Sequence, residues 1–261
     1  MLISGVSLLV VKSCVHKKEP LYKSQPPQAV KIPKVREARP AVSPRVAIIL
    51  DDWGNNYSLL KDAVAIGRPV TLSILPNLKQ TQKIAEKAFE NGLGVMIHMP
   101  MEPKNRSEPL EPHTILTTSS EREIRGYLDE AILGVPHAEG MNNHMGSAAT
   151  SDARVMRIVL KYLRERGLFF VDSQVVPKTV CRPIAKEMGL PFTKRDVFID
   201  NEPNSEAIKR QLLEAKKIAL AKGKVVIIGH DKRVTLKVIR EMVPEFEKDG
   251  VRFVLVKDIL E

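Results

Sequence analysis

VAIILDDWG, residues 46–54, is five apolar residues rich in β-branched side chains followed without transition by two aspartates. A continuous apolar run of this length is a strand buried on both faces, and such strands belong to parallel sheets covered by helices. The pattern recurs along the chain. VTLSIL (70–75), GVMI (94–97), LFFV (168–171), KVVIIG (224–229) and VRFVLV (251–256) read as strands, and weaker ones are expected at 140–143 and 191–197. Amphipathic stretches at 57–66, 80–90, 121–133, 152–166, 205–221 and 235–247 read as helices. Alternation of this kind predicts an α/β protein, a distorted (β/α) barrel of seven or eight strands.

A chain of 261 residues that is 43% hydrophobic has ample material for one such core. Its net charge of +10 is unevenly spread. Residues 1–45 hold nine lysines and arginines against two glutamates, a net +7, which leaves +3 for everything after them. The basic character therefore describes a tail, and with aromatics at only 5% the body lacks the interleaved basic and aromatic surface of a nucleic-acid binder. The two cysteines, Cys14 and Cys181, exclude both a disulfide scaffold and a cysteine-rich zinc module, so any metal must be held by histidines and carboxylates.

The organisation expected is tripartite. LISGVSLLVV (2–11) is too short to span a bilayer but has the length of a signal-peptide core, and VKSC (11–14) places a small residue before a cysteine as a lipoprotein cleavage box does. Residues 1–15 are thus expected to be a signal peptide or a membrane or lipid anchor, or else a frayed apolar N-terminus. Residues 16–44, with six prolines among basic residues and no apolar period, read as an extended linker that either lies near anionic polymer or lipid or is simply a soluble spacer. Residues 45–261 form the folded domain.

In parallel α/β folds ligands gather beyond the C-terminal ends of the strands. The residues found there are polar in almost every case: Asp51 and Asp52, then His98 with Glu102 close behind, His144 after the weak fourth strand, Asp172, and His230 followed by Asp231. Of the aspartate pair, one can ligate a metal while the other accepts a proton from water, and a cation makes two adjacent carboxylates tolerable; alternatively Asp52 caps a helix beginning in WGNNYSLL. His98 and His144, as neutral imidazoles, with one carboxylate would complete a three-ligand catalytic zinc set, although each is also an ordinary strand-end histidine. Asn142 and Asn143 are candidates for orienting a ligand or a substrate amide, or for forming a turn. Asp172 is a candidate support for an imidazole or a turn residue, His230 a candidate general acid or a strand-end histidine, and Asp196 and Asp200 read equally well as solvated loop residues. Trp53 is either a wall for sugar stacking beside the aspartates or part of the core.

These residues carry a resemblance. ILDDWG (49–54), LSILPN (72–77), IHMPMEP (97–103), MNNHMGS (141–147), FFVDS (169–173), RDVFIDN (195–201) and IGH (228–230) together resemble the divergent polysaccharide deacetylase family, distant relatives of chitin and peptidoglycan deacetylases, from about residue 45 to the C-terminus. The resemblance implies a distorted (β/α) barrel, an exported, periplasmic or envelope location, and metal-dependent removal of N-acetyl groups from a polysaccharide such as peptidoglycan, with zinc the expected metal. It implies Asp51 as general base, Asp52 and His144 as metal ligands and His230 as the late acid. The main superfamily draws both metal histidines from one short H-x-x-x-H-like segment, which HMGSA (144–148) does not offer, so His98 takes the vacant role by position. Glu102 stands with Trp53, Asn142 and Asn143 as a candidate substrate contact. Asp231 stands where the resemblance predicts a proline. A non-catalytic envelope protein that binds wall glycan or a protein partner through the same cleft is the competing expectation.

Overall fold

The computed structural model describes residues 43–261 apart from 106 and 108, so the N-terminal apolar run and nearly all of the proline-rich linker lie outside the described residues. The body is one parallel sheet of nine strands: β1 Arg45–Trp53, β2 Thr71–Ile74, β3 Gly94–Met101, β4 Gly140–Met145, β5 Phe169–Asp172, β6 Phe192–Lys194, β7 Val197–Phe198, β8 Lys224–His230 and β9 Arg252–Val254. Their order is β6-β5-β4-β3-β2-β1-β8-β7. Along one edge of β1, β9 pairs with Arg45–Ala47 while β2 pairs from Ile49 onward.

The distortion of the barrel has a local cause. The strand expected at 191–197 is divided by Arg195 and Asp196 into β6, which pairs with β5, and β7, which pairs with β8. One short segment therefore supplies both ends of the sheet. The Arg195 amide donates to the Asp172 carbonyl at 2.9 Å and the Asp196 amide to Val226 at 2.9 Å, while Asp196 Oδ2 accepts the Val226 amide in return. Asp196, exposed in the bend between β6 and β7 as a loop residue would be, also extends the β7–β8 ladder through its carboxylate.

Strand parity decides what each side chain meets. In β1, Val46, Ile48 and Leu50 pack under the helices, whereas Ala47 and Ile49 join Met96, Phe169, Val171, Val226 and Ile228 inside the barrel. Gly140 is required at its place in β4, since a Cβ there would lie 2.3 Å from the Phe169 ring that fills the interior. The helices are α1 Leu60–Val64, α2 Thr81–Glu90, α3 Glu121–Gly134, α4 Ala153–Glu165, α5 Cys181–Met188, α6 Ser205–Lys222 and α7 Arg233–Glu247. Local chemistry starts them where apolar periodicity permits: Ser120 and Glu123 form a capping box on α3, and Asp152 and Asn204 cap α4 and α6. Among the described residues no helix is long and apolar enough to cross a membrane.

Candidate active site

Five of the predicted polar residues share the interior parity. Counting on from Ile49, Met96 and Ile228 places Asp51, His98 and His230 above the barrel interior, and Asn142 and His144 follow from Gly140 in the same way. Register then brings His98 and His144 together, because β3 and β4 are neighbours with His98 opposite Asn142 and Pro100 opposite His144. Asp52 is the exception. Regular alternation would turn it under the helices, but the β1–β2 register shifts between Leu50 and Trp53, and Asp52 takes a left-handed backbone with φ of 67°. This bulge swings its carboxylate to the rim beside Asp51.

The result is a compact triangle. Asp52 Oδ1 lies 3.2 Å from His98 Nε2 and 3.1 Å from His144 Nδ1, and the two nitrogens are 3.1 Å apart. A tetrahedral zinc with bonds of about 2.0–2.1 Å would separate its ligands by about 3.3 Å. Asp52 Oδ1 is buried without an aligned hydrogen-bond donor among the described residues, so three electron-rich atoms converge on one point. The carboxylate and two imidazoles fit a divalent cation of the zinc type in both chemistry and spacing.

A relay of buried side chains fixes this arrangement. Asn142 is fully buried, and its Oδ1 accepts from Ser73 Oγ at 2.6 Å and faces His98 Nδ1 at 2.6 Å. Its Nδ2 donates to Asp51 Oδ1 at 2.9 Å. Asn142 therefore holds His98 with Nε2 toward the triangle and turns the other oxygen of Asp51 toward the same space, where it lies 3.7 Å from His98 Nε2. Burial pushes the Asp51 carboxyl upward, against the opposing influence of His98 and the Asn142 hydrogen bond. Burial also opposes charge on Asp52, but the contacts from His144 and His98 outweigh it and hold that carboxyl well below the ordinary carboxylate range. Burial likewise opposes charge on His98, yet Asp51 and Asp52 carry it up to about 9.

Across the site stands a second unit. His230 Nδ1 meets Asp200 Oδ1 at 2.8 Å, its backbone amide donates to Asp200 Oδ2 at 2.9 Å, and Thr235 Oγ1 donates to the same oxygen at 2.8 Å. The edge of the His230 ring stands against Phe198, and its Nε2 faces Asp52 Oδ2 at 3.7 Å. Although burial disfavours its charge, Asp200 raises the His230 pKa overall. The close approach depends on Gly229, where a Cβ would lie 2.9 Å from Ile199. Asp200, completely buried, is thus a site residue and not a solvated loop residue.

Several expectations need correction. Trp53 is fully buried among the apolar side chains beneath the helices and presents no face to a sugar. Of the readings for the asparagine pair, contact with a substrate is the one that fails, since both are buried: Asn142 orients the candidate ligand His98, and Asn143 forms a turn, donating to the Met145 carbonyl at 2.6 Å and accepting the Ser173 amide at 3.0 Å. Buried Glu102 accepts from the amide and hydroxyl of Thr117, each at 2.6 Å, and so organises the loop after β3 rather than lining a cleft. Asp172 has the outward parity of Phe170; it accepts from the Gln174 amide at 2.8 Å and Thr179 Oγ1 at 2.5 Å and bonds to no imidazole among the described residues. Asp231, in place of the expected proline, donates its amide to the Asp51 carbonyl and accepts from Asn56 Nδ2 at 2.7 Å, which ties β8 to the end of β1.

The profile of the divergent polysaccharide deacetylase family matches residues 48–260. The chain belongs to that family. This divergent deacetylase relative is 32% identical over 210 residues to an uncharacterised Escherichia coli protein, YibQ, covering 80% of this chain and 66% of that one, so the match spans just under two thirds of the bacterial relative. Among solved structures, an uncharacterised Agrobacterium tumefaciens protein superposes with a TM-score of 0.79 at 22% identity, covering 84% of this chain and 90% of that one. A family 4 carbohydrate esterase from Streptomyces lividans, in complex with acetate, gives 0.56 at 16% identity over 84% and 96% of the chains. A Bacillus anthracis family 4 pseudoenzyme gives 0.52 at 13% identity over 84% and 66%. The divergent family thus shares the (β/α) barrel of those esterases, a fold that houses both active and inactive members.

Proposed function

We propose that the protein is a metal-dependent hydrolase that removes N-acetyl groups from a cell-envelope polysaccharide. The observation that carries this reading is the convergence of Asp52, His98 and His144 on one point, flanked by a buried carboxylate, Asp51, and by the His230–Asp200 pair. A divalent cation, zinc by the chemistry of the donors, would be held by Asp52 Oδ1, His98 Nε2 and His144 Nδ1, and would supply Lewis acidity to a water and to the acetamide carbonyl.

The chain's own groups handle the protons. Asp51, made more basic by burial, accepts a proton from water as its oxygen adds to the carbonyl carbon. Asn142 keeps Asp51 Oδ1 occupied, so the free oxygen is the one that faces the site. His230, whose protonated form Asp200 favours, is the group to donate from Nε2 to the amide nitrogen as the C–N bond breaks. The products are acetate and a free amino sugar. An N-acetylated glycan such as peptidoglycan suits this chemistry, and the apolar run ahead of a basic linker supports an exported location.

The competing reading, a glycan- or partner-binding envelope protein without turnover, is favoured by one observation: the second histidine of the triangle comes from β3 and not from the His144 segment. Metal content and acetate release from N-acetylated wall fragments separate the two. Asp51→Asn is expected to keep stoichiometric metal while turnover falls about 10²–10⁴-fold, and His144→Ala to lose the metal. A wild-type protein that binds metal and releases no acetate would favour the binding role.

A further inference from the structure

Each imidazole at the rim is backed by an oxygen on the side away from the shared space, but the backing groups differ in kind. His98 has the Asn142 amide and His230 the Asp200 carboxylate, both completely buried. His144 turns Nδ1 toward Asp52 and His98, and its buried Nε2 has no aligned hydrogen-bond partner among the described residues. Glu111 Oε1 stands 3.2 Å from that nitrogen, off the N–H direction. It comes from the loop between β3 and α3, whose course runs beside the strand: the Ile115 amide donates to Pro100, the Glu102 amide donates to Ile115, and Thr114 Oγ1 donates to the Glu111 carbonyl.

We propose that Glu111 is a positioning residue for metal binding, its carboxylate accepting the Nε2 proton of His144 so that Nδ1 is left bare toward the Asp52–His98 pair. The inference rests on the metal reading above and adds to it a residue outside the ligand triangle. A neutral imidazole carries one N–H, and the hydrogen bond at one nitrogen decides which. If the proton sits on Nδ1, it is directed at His98 Nε2 at 3.1 Å and closes two ligand atoms upon each other. With the proton on Nε2, both atoms are open to a cation. Because the loop is pinned at its root, Glu111 needs only a side-chain rotation to align.

Two readouts test this on the metal-free full chain. Zn²⁺ affinity is measured by competition with a chromophoric chelator, and the His144 tautomer by ¹⁵N chemical shifts of the imidazole. Wild type is expected to bind zinc and to show the Nε2–H form. Glu111→Ala should bind about 10–100-fold more weakly and move His144 toward Nδ1–H, with circular dichroism unchanged. Glu111→Gln, whose amide oxygen still accepts from Nε2–H, should retain the tautomer and lose less affinity. Wild-type affinity and tautomer in Glu111→Ala would overturn the role of Glu111 alone. A wild-type chain that takes up no zinc would overturn the metal reading as well.

Discussion

The two ends of β1 obey different rules. From Arg45 to Asp51 the strand runs in unbroken register with β8, and its apolar side chains alternate between the helix layer and the barrel interior. Beyond Leu50 its pairing with β2 slips, one residue turns left-handed, and two carboxylates stand side by side at the rim. The first half gains from burial, at about 1.5–3 kcal/mol for a fully buried aliphatic side chain. The second half gathers charge that burial disfavours. A parallel barrel can combine the two because each strand has a packed stem and a polar tip, with the hydrogen-bonded stem holding the tip in place.

This contrast can be broken from either side. The largest stability effect is expected in the stem: Leu50→Ala removes a fully buried side chain and should cost about 2–5 kcal/mol, read by denaturant unfolding, while the molecules that remain folded keep their full metal content. A smaller effect is expected where stem meets tip. Gly229→Ala drives a Cβ against Ile199; overpacking of this kind costs about 1–3 kcal/mol, and it should also lower acetate release by displacing Asp200 from His230, which a stem variant would not do.

The smallest effect on stability, and the sharpest on the tip, comes from Asp200→Asn. His230 is raised in the folded state, so its contribution to stability is fully present below about pH 6.5 and fades as pH rises through the folded pKa. Burial opposes the Asp200 charge, yet the His230 hydrogen bond lowers its pKa overall. Its contribution is therefore present above about pH 3.9 and is lost toward acid. The destabilisation by Asp200→Asn should be greatest between about pH 4 and 6.5 and shrink above. The alkaline limb of the pH–rate profile should move to lower pH, since His230 would lose its proton sooner. An unmoved limb would remove His230 from the acid role.

The fold was readable in the apolar runs because a strand buried on both faces leaves a continuous signal, and the helices in the long amphipathic stretches were equally plain. Helix α5 was not. It has only eight residues with Pro183 in its first turn, and its buried face is just Cys181, Ile184 and Ala185, too short a run to show a helical period. The site was readable to the extent that polar residues end apolar runs, which located Asp51, Asp52, His98, His144 and His230. Side-chain direction was hidden for the same reason that the strands were clear. When both faces of a strand are apolar, nothing in FFVD says whether Phe170 or Val171 faces inward, so Asp172 read as a site residue although its parity turns it away. Asn142, Asn143 and Glu102 read as ligand contacts because their residue types suggest exposure, whereas a hydrogen-bond network makes their burial affordable. Asp200 read equally well as a solvated loop residue because its partner is 30 positions away; Gly229 immediately before His230 was the available hint.

The left-handed Asp52 carries a consequence for how such proteins change over generations. A non-glycine residue in that backbone region stores strain of order 1–3 kcal/mol, and packing the barrel has no need of it. If a descendant lost the proposed chemistry, selection would no longer hold an aspartate there, and glycine would relieve the strain and raise stability at one stroke. The residue at position 52 therefore serves as a record of use: in any relative that keeps the bulge, an aspartate still bearing the strain marks a lineage in which the rim has continued to matter, and a glycine marks one released from it.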